Sequence, residues 1–265
     1  MVPNTGAAWL RSVLRVIKTF ADDSPWRTAA QVASRSGLSE LDAHGVLIAL
    51  CGAGLVRMEG HRFLLTPAAL DGAFAFTSSR SELTVVGRAV ADLSSQVGQA
   101  AAAALLDDKD IVVVAASAPS RDPSISAEAI LGRRRPAHVT AAGQVLLAHL
   151  SPDDLDRYLV AAGRNAFTET LTGSEELVQR LEQVRREGYA IASRELSDRL
   201  RTIAVPVPTS VVGYALAISI LAPASDLTLE RARKEYLPAL RGAVQTISEE
   251  MGRLTSSLRP HAGFL

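Results

Sequence analysis

The sequence predicts an α+β chain with three parts: an N-terminal winged helix-turn-helix, a connecting helix, and a larger C-terminal domain with an antiparallel-rich sheet. Three observations carry this. Short amphipathic stretches with capping residues crowd the first quarter of the chain, and two apolar runs then flank Glu59-Gly60 as a hairpin. Further on, strand-like runs joined by tight turns alternate with helical periodicity, which is the pattern of an α+β layer. A length of 265 residues accommodates two ordinary domains. The boundaries read as 1–76 for the winged domain, 77–98 for the linker helix and 99–265 for the C-terminal domain.

In chain order, Leu10, Val13, Leu14 and Ile17 recur at helical spacing and predict a helix over Ala7–Phe20 with one buried face. Thr28 and Gln31 form a capping box for a second helix, which Gly37 stops. Ser39 and Asp42 start a third, whose inner stripe is Ala43, Val46, Leu47 and Leu50, and Gly54 closes it. Leu55–Met58 and Arg62–Leu65 read as the strands of the wing. Pro67 opens a segment leading to a long helix over Ser81–Val97, with Val86, Val90, Leu93 and Val97 on one side. Ala100–Leu106 and Ile111–Ala116 are strands around Asp107-Asp108-Lys109-Asp110. This is a solvated turn and not a metal loop, because no EF-hand spacing follows.

A loop over 117–124 leads to a strand at Ile125–Leu131. Ser151-Pro152-Asp153-Asp154 is a helix start, with cap, proline and first-turn acids in place. Another helix covers Ser174–Glu187, with Leu177, Leu181 and Val184 inward and Gly188 as its stop. Pro206, Pro208 and Gly213 divide an uncharged run into strands Thr202–Val207 and Val211–Leu221, and Thr228–Leu258 supplies the closing helices.

Composition narrows the partners. Charges balance at 28 basic against 28 acidic, so the chain as a whole has no bulk attraction for a polyanion. The single cysteine, Cys51, leaves neither an internal disulfide nor a cysteine metal framework, which suits a reducing cytoplasm. No metal or cofactor is expected. Met1–Gly6 is short and polar and Arg11, Arg15 and Lys18 follow, so no secretory leader is expected either. The run Ile203–Ala222 is long enough for a membrane span, but its prolines and glycine break it, so no membrane partner is expected.

The stretch that organises the chain is Leu131–Leu150. Gly132 permits a tight turn, Arg133, Arg134 and Arg135 place three cations on it, and Pro136 keeps Arg135 extended. Thr140 caps a helix with Val145, Leu146 and Leu147 inward. Gly132, Arg134, Pro136, His138, Thr140, Ala141 and Gly143 form a pattern that resembles the effector-domain signature of the IclR family of bacterial transcriptional regulators. The run Gly188-Tyr189-Ala190, Glu195, Arg201 and Ile203–Val207 resembles its second signature, and the first domain is similar to its DNA-binding domain. The resemblance implies an oligomer, homodimer or tetramer, in which the winged helix reads an operator and a small organic ligand shifts DNA affinity. The candidate ligand contacts are Arg134, Thr140, Arg201, Thr202 and Ser219.

One departure decides the functional expectation. Where the family's recognition helix carries polar and basic residues, this chain has Glu40, Leu41, Asp42 and Gly45, and acids facing phosphates oppose binding. Arg35, His44, Arg57 and Arg62 remain as candidate DNA contacts, so DNA binding is expected to be weak. The reading that follows is a small-molecule protein that has lost sequence-specific DNA reading and acts on its ligand as a cofactor-independent cyclase or isomerase. Such a pocket works by holding a flexible substrate folded. Glu128, His138, Glu195 and Asp198 are its candidate proton carriers, and Arg134 and Arg201 its anion stabilisers. The alternative is a ligand-responsive DNA-binding regulator.

Overall fold

The computed structural model describes residues 4–21, 24–78, 81–119, 131–162, 174–193, 200–211 and 213–257. Two compact units divide the chain, Met1–Ser79 and Arg80–Leu265. Among the described residues no helix is long and apolar enough to cross a membrane.

The first unit contains α1 (Asn4–Lys18), β1 (Arg27–Thr28), α2 (Ala29–Ser36), α3 (Glu40–Gly52), β2 (Val56–Glu59), β3 (Arg62–Leu65) and α4 (Leu70–Ser78). Its strands form an antiparallel sheet in the order β1-β3-β2. The capping box of α2 is complete, with Thr28 and Gln31 each bonding the other's backbone N–H. Gly37 then turns the chain in the left-handed region at φ 64°. The Ser39 side chain caps α3 by accepting from Asp42 N at 3.1 Å. Val13, Val16, Phe20, Val32, Val46, Leu47, Leu50 and Phe63 make the core.

The first helix departs from expectation. Leu10 and Leu14 are 55% and 52% exposed, and Val13, Val16 and Phe20 face the core instead. The stripe that packs is rotated by one position, and it leaves Trp9, Leu10 and Leu14 as an apolar face on the surface. The helix α4 lies in a segment where no element is anticipated from sequence; Leu70 and Phe74 on it are exposed.

The second unit runs α5 (Ser81–Val97), β4 (Ala100–Asp107), β5 (Asp110–Ser117), β6 (Arg134–Pro136), α6 (Ala141–Leu147), α7 (Pro152–Ala162), α8 (Ser174–Glu187), β7 (Ala190–Ser193), β8 (Leu200–Val211) and β9 (Tyr214–Pro223). It closes with α9 (Leu229–Arg231), a π-helical turn over Ala232–Tyr236, and α10 (Leu237–Ser257). The six strands form one sheet in the order β6-β5-β4-β9-β8-β7, antiparallel throughout. Side-chain alternation gives this sheet two faces. On one, Ala101, Ala103, Ile203, Leu216, Ile218 and Ile220 are buried, and α5 and α10 pack on the sheet. The helix read as a linker thus packs within the second unit.

The other face is built of small side chains, Ala102 and Ala104 on β4, Ala190 and Ala192 on β7, Ala204 on β8 and Ala217 on β9. Residues of α6, α7 and α8 share a core with several of them. The prolines do not end a strand here. Beyond Ala204 the strand β8 has no β7 partner, so Pro206 and Pro208 forfeit no ladder bond on that edge. The ladder with β9 instead shifts register between Val207 and Ser210, and the chain reverses at Gly213, with φ 83°. Of the strand expected at Ile125–Leu131, residues 125–130 lie outside the described residues and Leu131 sits in a turn.

Candidate functional site

Small residues on the sheet leave room above it. A cavity of about 480 Å³, counting its open mouth, has a floor of Ala102, Ala104, Ile111, Val113, Thr202, Ser219 and Leu221. Arg133, Arg135, Thr140 and Ala142 form its wall. The floor comes from four neighbouring strands, β5, β4, β9 and β8, so its shape is fixed by ladder register. Most of the lining is apolar, with a few polar groups among it, as in sites for small organic molecules.

The wall depends on one close approach. At Gly143 an added methyl group would overlap the Ala137 backbone, its carbonyl oxygen above all. Only glycine lets the 3₁₀ turn at Ala137–Val139 lie directly on α6. The Thr140 hydroxyl accepts from Gly143 N at 2.9 Å, which caps α6 and ties it to the same turn. Gly132, at φ 74°, reverses the chain before β6, and its N–H donates to Val113 O at 2.8 Å.

Alternation along this extended run sorts the three arginines. Arg134 points away from the cavity and binds the β4–β5 turn, 2.7 Å from Asp107 and 3.4 Å from Asp110. Burial opposes its charge, but the two carboxylates outweigh that and hold its guanidinium above the ordinary value. The expected ligand contact is thus a clasp for the hairpin, and Arg133 and Arg135 take the cavity wall. Arg135 is half-buried, and its Nε is buried with no hydrogen-bond partner among the described residues. The signal that could have found both is the alternation itself, since Val113 and Arg133 share a backbone hydrogen bond at 3.1 Å.

Thr140, Thr202 and Ser219 all line the cavity and are buried. The Ser219 hydroxyl donates to Ala102 O at 3.3 Å, so it offers lone pairs to the cavity more readily than its proton. Arg201 is not among the lining residues, and its guanidinium donates to Leu227 O at 3.2 Å. Glu128, Glu195 and Asp198 lie outside the described residues.

His138 is described and buried, but it does not line the cavity. Its backbone N–H donates to the Tyr158 hydroxyl at 3.1 Å, and Nδ1 lies 2.9 Å from the same oxygen. The tyrosine oxygen thus joins the backbone and the ring of His138 at one point. Gln144 Nε2 donates to His138 O at 3.1 Å, and Arg180 reaches both Gln144 Oε1 at 3.4 Å and Ile191 O at 3.0 Å. Burial pushes the Tyr158 hydroxyl up to about 12, against the His138 N–H that favours its anion. His138 is thus part of a buried network that holds the turn behind the wall, and it is not among the residues that line the cavity. Among the described residues no group of His, Cys, Asp and Glu side chains could hold a metal ion.

The DNA-contact candidates sit on the first unit. Arg35 is exposed and lines a surface hollow with Arg15 and Lys18. His44, on α3, lays its ring edge toward Phe63 with centroids 6.2 Å apart. On the wing, Arg57 pairs with Glu59 at 2.6 Å, and the Arg62 guanidinium lies 5.5 Å from the centre of the Trp26 ring. Cys51 is half-buried, and burial pushes its thiol up, away from a reactive thiolate.

Comparison with known proteins identifies the family. Residues 76–249 match the family model described as bacterial transcriptional regulator IclR C-terminal. The Pca regulon regulatory protein of Pseudomonas putida is 29% identical over 240 residues, covering 90% of this chain and 82% of the relative. A transcriptional regulator from Rhodococcus sp. RHA1 superposes with a TM-score of 0.73 at 30% identity, over 93% of this chain and 99% of its own. The inducer-binding domain of a double mutant of the PobR transcription factor from Acinetobacter, in complex with 3-hydroxybenzoic acid, gives a TM-score of 0.54 at 25% identity. That match covers 61% of this chain and 94% of the domain. These relatives are regulators of transcription, and this overturns the expectation of a biosynthetic cyclase or isomerase. Missing donors on one helix are evidence about what that helix touches, and not about whether the protein regulates transcription. The chain belongs to the IclR family of bacterial transcriptional regulators.

Proposed function

We propose that this protein is a ligand-responsive DNA-binding transcriptional regulator, whose second unit takes a small organic anion with an apolar body. The observation that carries the ligand class is Arg135. An unpartnered buried donor costs about 1–3 kcal/mol, and a carboxylate oxygen from a ligand recovers it with charge assistance. The floor of Ala102, Ala104, Ile111, Val113 and Leu221 suits a flat ring or short aliphatic body, and the Thr140, Thr202 and Ser219 hydroxyls can meet a polar substituent. The named relatives support this choice, since one governs the Pca regulon and another is seen with 3-hydroxybenzoic acid.

Calorimetric titration of the full chain with benzoate, 3-hydroxybenzoate and 4-hydroxybenzoate, each beside its neutral amide, tests the reading. Acids that bind while their amides do not support it; equal binding of acids and amides, or of neither, contradicts it. The apolar face of Trp9, Leu10 and Leu14 fits burial against a second copy, which makes the working unit a homodimer. A monomer by light scattering at micromolar concentration would contradict that part.

A further inference from the structure

The exposed side of α3 carries chemistry that the regulator reading leaves unassigned. Leu41, Gly45, Ile48 and Gly52 follow one another at i, i+4, i+7 and i+11, so they form a single stripe along the helix. Leu41 is 82% exposed and Ile48 is 44% exposed. A methyl group added at Gly45 or Gly52 would meet nothing within 4 Å, so the stripe is a low ridge with two gaps in it. Glu40, Asp42, His44 and Ala49 are the other exposed residues of this helix. The whole helix, ELDAHGVLIALCG, contains no Arg, Lys, Asn, Gln, Ser or Thr.

That inventory excludes the common ways of reading purines. Guanine is recognised by Arg or Lys at O6 and N7, and adenine by Asn or Gln at N6 and N7. What α3 can offer the major groove is apolar contact, which suits the thymine C5-methyl group, and carboxylate acceptors, which suit the cytosine N4 amino group. The Asp42 carboxylate is engaged by the Ser39 hydroxyl at 2.6 Å, so Glu40 is the more available acceptor. His44 is drawn aside toward Phe63.

We infer that α3 reads its operator on the pyrimidine side, with Leu41 and Ile48 covering thymine methyl groups and Glu40 accepting from a cytosine amino group. This rests on the regulator reading and names what the reading recognises. Seven residues separate Leu41 from Ile48, a rise of about 10 Å, which spans about three base-pair steps. The gaps at Gly45 and Gly52 let the backbone approach the groove floor, where a longer side chain would hold it off. Phosphate contacts are left to flanking cations such as Arg35, Arg57 and Arg62, because Glu40 would repel the backbone of the duplex.

The experiment selects duplexes from a random library on the full-length protein at low salt, then substitutes single bases in the recovered site. Deoxyuridine in place of a contacted thymine, which removes only the methyl group, lowers affinity about fourfold. In Leu41→Ala the same substitution has no effect at one of these positions, while the remainder of the site is still recognised. Glu40→Gln exchanges cytosine for adenine at one position, because glutamine pairs with adenine. Guanines replaced by 7-deazaguanine bind as before. Loss of affinity on 7-deazaguanine substitution with indifference to deoxyuridine would overturn the inference and leave the regulator reading standing. Recovery of no duplex from the library, together with no binding to the gene's own upstream DNA, would overturn both.

Discussion

The ligand cavity of the second unit and the exposed side of α3 solve opposite problems with the same scarcity of charge. In the cavity, Arg133 and Arg135 are set among alanines and hydroxyls whose places are fixed by strand register and by the contact of Gly143 with Ala137. On α3, Leu41, Gly45 and Ile48 are exposed and carried by the helix backbone, so core packing does not choose their chemistry. A packed site announces its chemistry through the geometry that surrounds it. An exposed one does so only through the partner it meets, so an unusual composition there means altered specificity before it means loss.

The largest expected effect breaks the packed side of this comparison. Gly143→Val drives a side chain into the Ala137 backbone, which cannot yield as a flexible side chain would. The expected cost is about 3 kcal/mol or more, read as a fall in the urea midpoint of the full chain. On α3 the same substitution at Gly45 meets open space and leaves stability unchanged or raises it by about 0.5 kcal/mol, since valine is a better helix former than glycine. Equal costs at the two glycines would show that the contrast is not one of packing.

Next in size is Arg135→Gln. Removing the charge that faces the cavity lowers carboxylate affinity by about 10- to 100-fold in calorimetry while the thermal midpoint is unchanged or raised, since an unpartnered buried donor is relieved. Arg134→Gln is the control. It releases Asp107 and Asp110 on a half-exposed hairpin, costs less than about 1 kcal/mol, and leaves ligand affinity where it was. If Arg134→Gln lost the ligand and Arg135→Gln did not, the assignment of the wall would be reversed.

Tyr158 sharpens the comparison by pH. Its folded value, up to about 12, lies above the ordinary value of 10, so the folded state holds the phenol proton more tightly than the unfolded chain does. Its contribution is fully present below pH 10 and is lost as pH rises toward about 12, a difference of about 2–3 kcal/mol. Tyr158→Phe flattens that alkaline limb and also costs about 1–3 kcal/mol at neutral pH, because His138 N–H loses its acceptor. An alkaline limb unchanged in the variant would place the titration elsewhere.

The smallest effect concerns the exposed side. Arg35, Arg57 and Arg62 are the three flanking cations assigned to phosphates, and Arg57 must give up Glu59 to serve, so the salt dependence of DNA binding is shallow. A slope of about −3 per winged unit in log K against log salt is expected from three contacts, and a slope near −10 would contradict it.

How much of this was legible in the sequence follows the same division. The caps at Thr28, Ser39 and Thr140 and the inner stripe of α3 could be read directly, because local hydrogen bonding and periodicity fix them. The face of α1 could not: Leu10, Val13, Leu14 and Ile17 satisfy a helical stripe as well as Val13, Val16 and Phe20 do, and only tertiary packing chooses between them. The motif singles out Arg134 and not Arg133 or Arg135, because a motif marks a position without saying which way its side chain points in a strand. The five alanines of β4, featureless as sequence, became the cavity floor only when register set Ala102 and Ala104 beside Thr202, Ser219 and Leu221.

The most direct test joins the two regions. Fluorescence anisotropy of a labelled duplex from the gene's own upstream region, titrated with the full chain with and without a saturating aromatic carboxylate, reads DNA affinity and its response together. The account predicts specific binding that the carboxylate shifts by about 5- to 150-fold in the wild-type chain and leaves unshifted in Arg135→Gln. Absence of specific binding, or a shift of the same size in both proteins, would contradict it.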